Sequence, residues 1–366
     1  MTTNGQPIKS GIFIMPFHPP EKPLAQGYDE DIELAVMADE LGFEEFWIGE
    51  HHTMRYETVV VPEVFIGKAL GLTKRIRFGP SPICVNLHHP AYLATRLAFL
   101  DHLAHGRLNL CLGPSGTSTD YELYGQHPKD GGRMTIEAID VILKLWTSDP
   151  PYEHEGQFWQ FSLKENVDEE TQLGFIHKPL QQPHPPILVP GIARDSYSLK
   201  MAGRYGFAPF SAAVAAGNVL VDNWETYARS AEEAGRKPDR ADWRVARAIF
   251  LADTTEEAVK RARTNSVGRN YEYLAKLMDK TRGRDVLKRD LEMSNADCNM
   301  DFWMSEQIIA GDVDHVLERL LALMEESGPF GTLVLMGFDW DDKASWLRNI
   351  ELFATELMPA LNKAVA

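Results

Sequence analysis

The sequence predicts an α/β protein: a (β/α)8 TIM barrel formed as a single domain over residues 1–366, with an inserted, mostly helical lid segment before the last strand. Three observations predict it. About eight short apolar runs alternate with helical patterns along the chain, and these runs are near-continuous in apolar residues, as strands buried on both faces are. No Pro-, Gly- or Ser-rich linker divides the chain, and a barrel of this kind routinely exceeds the usual domain size as one unit. No GxGxxG follows the first run, as a dinucleotide-binding fold would require.

The elements follow in order. GIFIMPF (11–17) is the first run, and the stretch from Tyr28 to Gly42 behind it carries apolar Ile32, Ala35, Val36 and Ala38 at helical spacing. EEFWIGE is the second run and RIRFGPSPICV (75–85) the third; AYLATRLAFLDHLAHG then closes on Gly106 as a helix does. RLNLCLGPSG supplies the fourth run, with a helix from Arg133 to Trp146 after it. Beyond an excursion rich in Pro, Gly and aromatics (149–186), PPILVPG and the helix DSYSLKMAGRYG form the fifth unit. FAPFS, WRVARAIFLAD and GTLVLMGF complete the set, the last two separated by the helical insertion.

Bulk properties narrow the function. A chain that is 44% hydrophobic and 25% charged is of ordinary globular composition. Its formal charge of −16 gives a field that repels phosphate backbones and anionic lipid, so nucleic acid and membrane partners are not expected. The opening MTTNGQPIKSG is no signal peptide, and no apolar stretch approaches the roughly 20 residues of a membrane span. Cys84, Cys111 and Cys298 are too few and too far apart for a disulfide framework or a zinc module. A cytoplasmic protein is expected.

Barrel chemistry gathers at the C-terminal ends of the strands. Phe17 and His18 follow the first run, Glu50, His51 and His52 the second, Ser81 and Pro82 the third, and Gly113, Pro114, Ser115 and Gly116 the fourth. For the pair in EHH no metal is expected, since no HExxH, nearby Cys or spaced carboxylates accompany it. Imidazole suits proton transfer because its ordinary pKa lies near neutrality; packing against backbone is the competing reading, and position alone makes the two about even. In LHHPAY (87–92), Pro90 fits a first helical turn, so His89 reads as a loop residue at a helix start. His102 and His105, one helical turn apart, read as solvated or capping. Pro82 breaks a central strand and either ends it in trans or turns the chain in cis. RDSYS (194–198) lies between a strand and a helix, where hydroxyls and amide N–H groups at a helix N-terminus, with Arg194 as counter-ion, suit an anion; plain capping by Asp195 or Ser196 is as good a reading.

GIFIMPFHPP, ADELGFEEFWIGEHH, HHPAYLATRLAFLDHLAHGRLNLCLG, RMTIEAIDVILKLW, LKMAGRYG, GDVDHVLERL and FATELMPAL stand in an order that resembles the bacterial-luciferase-like, flavin-dependent monooxygenases over essentially the whole chain. The opening blocks are most similar to limonene-type enzymes, and HEGQFW, GTLVLMGFDWDD and Trp346 to the diketocamphane Baeyer–Villiger type. The resemblance implies a barrel that takes reduced FMN from a separate flavin reductase and reacts it with O2, through a flavin C4a-peroxide, to oxygenate a small apolar cyclic ketone, terpene or aldehyde. It places the catalytic histidine on His51 and makes His52 structural. It puts a cis peptide beneath the flavin ring at Ser81–Pro82 and the flavin phosphate at Arg194, Ser196, Tyr197 and Ser198. Gly113 stands where luciferase has a reactive cysteine, with Cys111 on the same strand face, so light emission is not expected.

A reactive flavin must be kept from water, which requires an apolar site. Phe17, Trp47, Phe210 and Trp303 are the expected substrate contacts, with Phe13, Ile83 and Met336 at similar positions. The resemblance makes Thr264 to Gln307 a segment that closes over the flavin as a lid or only packs on a partner subunit, and it implies a homodimer paired through early helices. The competing functions are an F420-dependent hydride-transfer oxidoreductase on the same fold, a non-catalytic flavin-binding protein, and a metal-dependent barrel hydrolase.

Overall fold

The computed structural model describes residues 6–15, 17–281 and 283–366; Pro16 of the first predicted run and Arg282 of the predicted lid lie outside the described residues. The strands are β1 (Lys9–Ile14), β2 (Glu45–Ile48), β3 (Arg77–Pro80), β4 (Ile83–Cys84), β5 (Leu110–Gly113), the pair β6 and β7 (Tyr152–Glu155, Gln160–Leu163), β8 (Ile187–Gly191), β9 (Ala208–Ser211), β10 (Arg244–Leu251), β11 (Ile308–Gly311) and β12 (Thr332–Gly337). The helices are α1 (Leu24–Leu41), α2 (Pro62–Leu70), α3 (Pro90–Leu103), α4 (Ser118–Leu123), α5 (Gly131–Thr147), α6 (Tyr197–Tyr205), α7 (Gly217–Glu233), α8 (Thr255–Ala262), α9 (Ser266–Thr281), α10 (Met300–Glu306), α11 (Val313–Ser327), α12 (Lys343–Leu352) and α13 (Met358–Val365).

The strands run β3-β2-β1-β12-β10-β9-β8-β5-β4 in parallel, and the bridge from Phe78 to Leu108 brings the two ends of that path together. β3 and β4 are one barrel strand interrupted at Ser81–Pro82, so eight barrel positions result, the count expected from the alternation of runs and helices. Two features were not legible. The excursion at 149–186 contains the antiparallel pair β6–β7, and the insertion after β10 ends in an extra strand. β10 pairs with β12 through Arg244–Arg247 and with that extra strand, β11, through Ala248–Leu251. The helical segment α9 to α10 therefore precedes β11, with α11 leading on to the last strand.

The barrel interior is layered. At its floor, Glu45 pairs with Arg244 at 2.7 Å and Arg77 donates to Asn109 at 2.8 Å, all from the starts of their strands. Above lie Trp47 and Phe210, edge to face at 5.3 Å, with Phe13 on Phe210 at 6.0 Å. Gly79 makes room for the indole, because a Cβ there would stand 2.3 Å from Trp47 Cζ3. This fill leaves space only at the C-terminal ends, where the strand-end residues collect. Outside, α1 and α6 end on Gly42 and Gly206 in the left-handed region, which releases each chain back into the next strand.

Candidate active site

A cavity of about 170 Å³ opens over the strand ends. Its wall is mostly apolar: Phe13 of β1 and Met15 just beyond it, Ala213 and Val214 beyond β9, Met336 of β12 and Phe338 just beyond it. α9 covers it with Tyr271, Leu274 and Met278, so the predicted lid segment is where the cavity is roofed.

His51 is in this wall, delivered by the end of β2 and fixed by its N–H to the Val59 carbonyl (3.0 Å). The loop between those residues folds back on the start of the chain. Phe17 and Glu57 form an antiparallel bridge and His18 N–H donates to the Tyr56 carbonyl, which turns Glu57 inward. The Glu57 carboxylate then lies 2.8 Å from His51 Nε2, while Thr117 Oγ1 lies 3.3 Å from Nδ1. Burial works against the charged imidazole, but the Glu57 carboxylate, with Asp120 and Glu50 behind it, outweighs burial and raises the His51 pKa above its ordinary value. The Glu57 carboxylate thus favours the protonated form of the ring, which places a potential proton donor in the cavity wall.

Its neighbours do something else. Glu50 is buried and accepts from both His52 Nε2 and His88 Nε2 at 2.7 Å, while its second oxygen accepts from Cys84 N–H at 2.7 Å. Burial alone would raise this carboxyl, yet the imidazoles and the amide hold it down at about 2. The three side chains converge within 4.8 Å, the one such group among the described residues that could hold a metal ion. That convergence was not expected, because His88 reaches Glu50 from 38 residues away. Both carboxylate oxygens already receive N–H groups, and Tyr124 lies 2.9 Å from His52 Nδ1, so the cluster is satisfied as it stands. His89 is exposed at the start of α3, and His102 reaches only the Lys178 carbonyl.

The remaining predicted residues are placed as follows. The Ser81–Pro82 bond is cis. Gly113 faces Pro82 and Pro190, where a Cβ would stand 3.2 and 3.0 Å from their rings, so a cysteine has no room there without movement. Burial pushes the Cys111 thiol up to about 12, despite its hydrogen bond with Ser81. Ser196 caps α6 through Leu199 N–H, Tyr197 is exposed, Ser198 is half-buried on the first turn, and Arg194 donates to the Lys288 and Arg289 carbonyls. Gly132, on the first turn of α5, faces Tyr197, with 3.6 Å between its would-be Cβ and the phenol ring, so two helix N-termini converge. Of the four expected substrate contacts none is in the cavity wall. Trp47 and Phe210 fill the layer beneath it, Phe17 stacks on Tyr56, and Trp303 packs behind Tyr271. Glu57 and Thr117 gave no sequence signal beyond their place in loops after strand ends.

Residues 8–329 match the family model for luciferase-like monooxygenases, and the chain belongs to that family. It is a monooxygenase with the family's barrel. The 4-hydroxyprotoasukamycin monooxygenase of Streptomyces nodosus subsp. asukaensis is 32% identical over 97% of this chain and 92% of its own length. Limonene 1,2-monooxygenase of Rhodococcus erythropolis is 29% identical over 99% of this chain and 89% of its own. Among solved structures, the oxygenating constituent of 3,6-diketocamphane monooxygenase from Pseudomonas putida, a type II Baeyer–Villiger enzyme in complex with FMN, superimposes with a TM-score of 0.87 at 30% identity, over 97% of this chain and 98% of that one.

Proposed function

We propose that this chain is the oxygenating component of a two-component system, taking reduced FMN from a separate reductase and using O2 to oxygenate a small apolar, terpene-like or cyclic substrate. The observation that carries the reading is the mostly apolar cavity at the barrel mouth with His51 in its wall, 2.8 Å from the Glu57 carboxylate. The diketocamphane relative, an oxygenating constituent that binds FMN, supports the division of labour.

The residues fit the cofactor. The converging N-termini of α5 and α6 present amide N–H groups, with the Ser196 and Ser198 hydroxyls and Arg133 nearby, to an anionic phosphate. The apolar wall accepts a flat ring system. Bound reduced FMN supplies the two electrons that split O2, one atom passing to substrate and the other to water. The aliphatic wall and α9 exclude water from the reacting centre. His51 holds a proton on its ring, stabilised by Glu57, and releases it where oxygen chemistry builds negative charge.

The exposed face formed by Val64 on α2 and Tyr92, Phe99 and Leu103 on α3 is apolar, with exposures from 51% to 72%, and supports pairing of two copies through these helices. Among the described residues, no helix is long and apolar enough to cross a membrane.

The test supplies the protein with reduced FMN and 18O2 in the presence of terpenes and cyclic ketones. Label in the product is expected, and His51→Ala is expected to keep FMN affinity while diverting O2 to hydrogen peroxide. Unchanged turnover in that variant removes His51 from the chemistry.

A further inference from the structure

The roof of the cavity contains one unusual group. Tyr271 is 1% exposed, borders the cavity, and its hydroxyl has no hydrogen-bond partner among the described residues. Of the other polar wall residues, Glu57 and Thr117 both engage His51, while Asn270 and Thr281 are carried with Tyr271 on α9. Behind Tyr271 stands a second unsatisfied group. Arg247 is 1% exposed; its Nη1 donates to the Ala213 and Ala246 carbonyls, but Nε and Nη2 have no partner. Buried polar atoms are nearly always paired, and two adjacent orphans beside an apolar cavity point to an acceptor that arrives with a ligand.

The surroundings fix the direction of that acceptor. Trp303 lies 5.7 Å from the phenol ring at 40°, which holds the ring in place. Burial raises the Tyr271 pKa, so the hydroxyl keeps its proton and is a donor, while Arg247 acts on it as the nearest positive charge. A neutral donor backed by a cation favours an oxygen that bears partial negative charge.

We propose that the Tyr271 hydroxyl, backed by Arg247, is the polar anchor that selects substrates carrying a carbonyl oxygen on an otherwise apolar ring system. The proposal rests on the monooxygenase reading and deepens it by naming the substrate class. The tyrosine donates its O–H to the carbonyl oxygen, and the guanidinium favours the polarised form of that C=O bond. A hydrocarbon of the same shape fills the cavity but leaves the hydroxyl unpaired, which is the condition under which a built hydrogen-bonding site discriminates most strongly.

The test is calorimetric titration of the full chain saturated with FMN, using matched pairs: camphor with camphane, and cyclohexanone with cyclohexane. At least one ketone is expected to bind about tenfold or more tighter than its hydrocarbon. Tyr271→Phe is expected to erase that ratio while leaving FMN affinity and the melting temperature unchanged. Absence of any ketone preference in the wild type, including failure of every ketone to bind, overturns the proposal, and so does a ratio that survives in Tyr271→Phe. A variant that loses FMN and keeps the ketone preference assigns the hydroxyl to the cofactor and overturns it as well. Should Tyr271→Phe not fold, 3-fluorotyrosine placed at position 271 keeps the hydroxyl; its 19F resonance is expected to move with ketone and not with hydrocarbon, and no such difference overturns the proposal. FMN binding and 18O incorporation are read separately, so loss of those in the wild type marks failure of the monooxygenase reading instead.

Discussion

Replacing Glu57 by glutamine tests what sets the proton on His51. The substitution keeps the size of the side chain and an acceptor oxygen 2.8 Å from Nε2, and removes one negative charge. In the native site burial is the strongest single influence on His51 and acts against its charge; Glu57 is the largest opposing one. Loss of an opposite charge at this distance is worth about 1–3 pKa units, or roughly 1.4–4 kcal/mol. Asp120 and Glu50 remain as smaller influences in favour of the charged ring, so the His51 pKa is expected to fall as the opposing effect of burial gains weight. The His51 titration midpoint is expected to be lower in Glu57→Gln than in the native protein. The assay is NMR titration of labelled histidine, with the His51 resonance assigned by its absence in His51→Gln. Product formation at neutral pH is expected to fall about tenfold and to recover as the pH is lowered, since the fraction of imidazolium limits it. An unchanged His51 midpoint in Glu57→Gln refutes the reasoning, because the pair would then not be the source of the proton's retention.

The remaining predictions concern the scaffold. His18 is buried between Asp339 (2.7 Å) and Asp31 (3.1 Å); burial opposes its charge, but the two carboxylates raise its pKa to about 9. A raised histidine stabilises the fold fully below its unfolded value of 6.5 and loses that contribution as pH climbs through about 9, so the native protein is expected to lose up to roughly 3 kcal/mol across that window. Denaturation at pH 6 and pH 9.5 measures it, and a flat profile, or one equal to that of His18→Gln, counts against the network. Phe99→Glu puts a charge into the exposed stripe of α3, and light scattering is expected to show dimers in the native chain and monomers in the variant. A monomeric native chain at working concentration sinks the pairing. Ser196→Ala with Ser198→Ala is expected to weaken FMN binding several-fold through lost hydroxyl contacts, whereas unaltered affinity removes the α6 terminus as the phosphate site.

The barrel was legible because its signals are local. Short runs such as EFWI and TLVLM are buried along their whole length, and the helices between them stop at residues that chain geometry demands, as at Gly42 and Gly206. The third strand's break was visible in Pro82, which cannot donate to a ladder. What was hidden is every contact made by closure at long range. Trp47 and Phe210 look like pocket residues in a strand pattern, but the barrel fills from its floor and these two pack on each other beneath the cavity, whose wall takes Phe13, Ala248 and Met336 from the strands and otherwise side chains from the loops and helix beyond them. Glu57 is one acid in a loop, and nothing local says that a bridge to Phe17 turns it onto His51. His88 and Glu50 are 38 residues apart and meet only because adjacent strand ends do.

The adjacency of Glu50, His51 and His52 follows from the same geometry. Where a chain leaves a strand in extended form, successive side chains point to opposite sides, so positions i and i+2 share one side and i+1 takes the other. Glu50 and His52 accordingly meet each other at 2.7 Å, with His88 completing the cluster away from the cavity, while His51 alone enters the cavity wall. One histidine therefore hydrogen-bonds a buried carboxylate that would otherwise be costly to bury, and pins the chain by doing so. The other is presented to the cavity from a backbone that cannot rotate freely, since its neighbours on both sides are hydrogen-bonded into the scaffold. On this argument Glu50→Gln disturbs the proton chemistry indirectly, by loosening the backbone at His51, and its effect is positional, whereas Glu57→Gln acts on the charge itself. A pH profile separates them: the first substitution lowers product formation at every pH, and the second moves the profile toward acid.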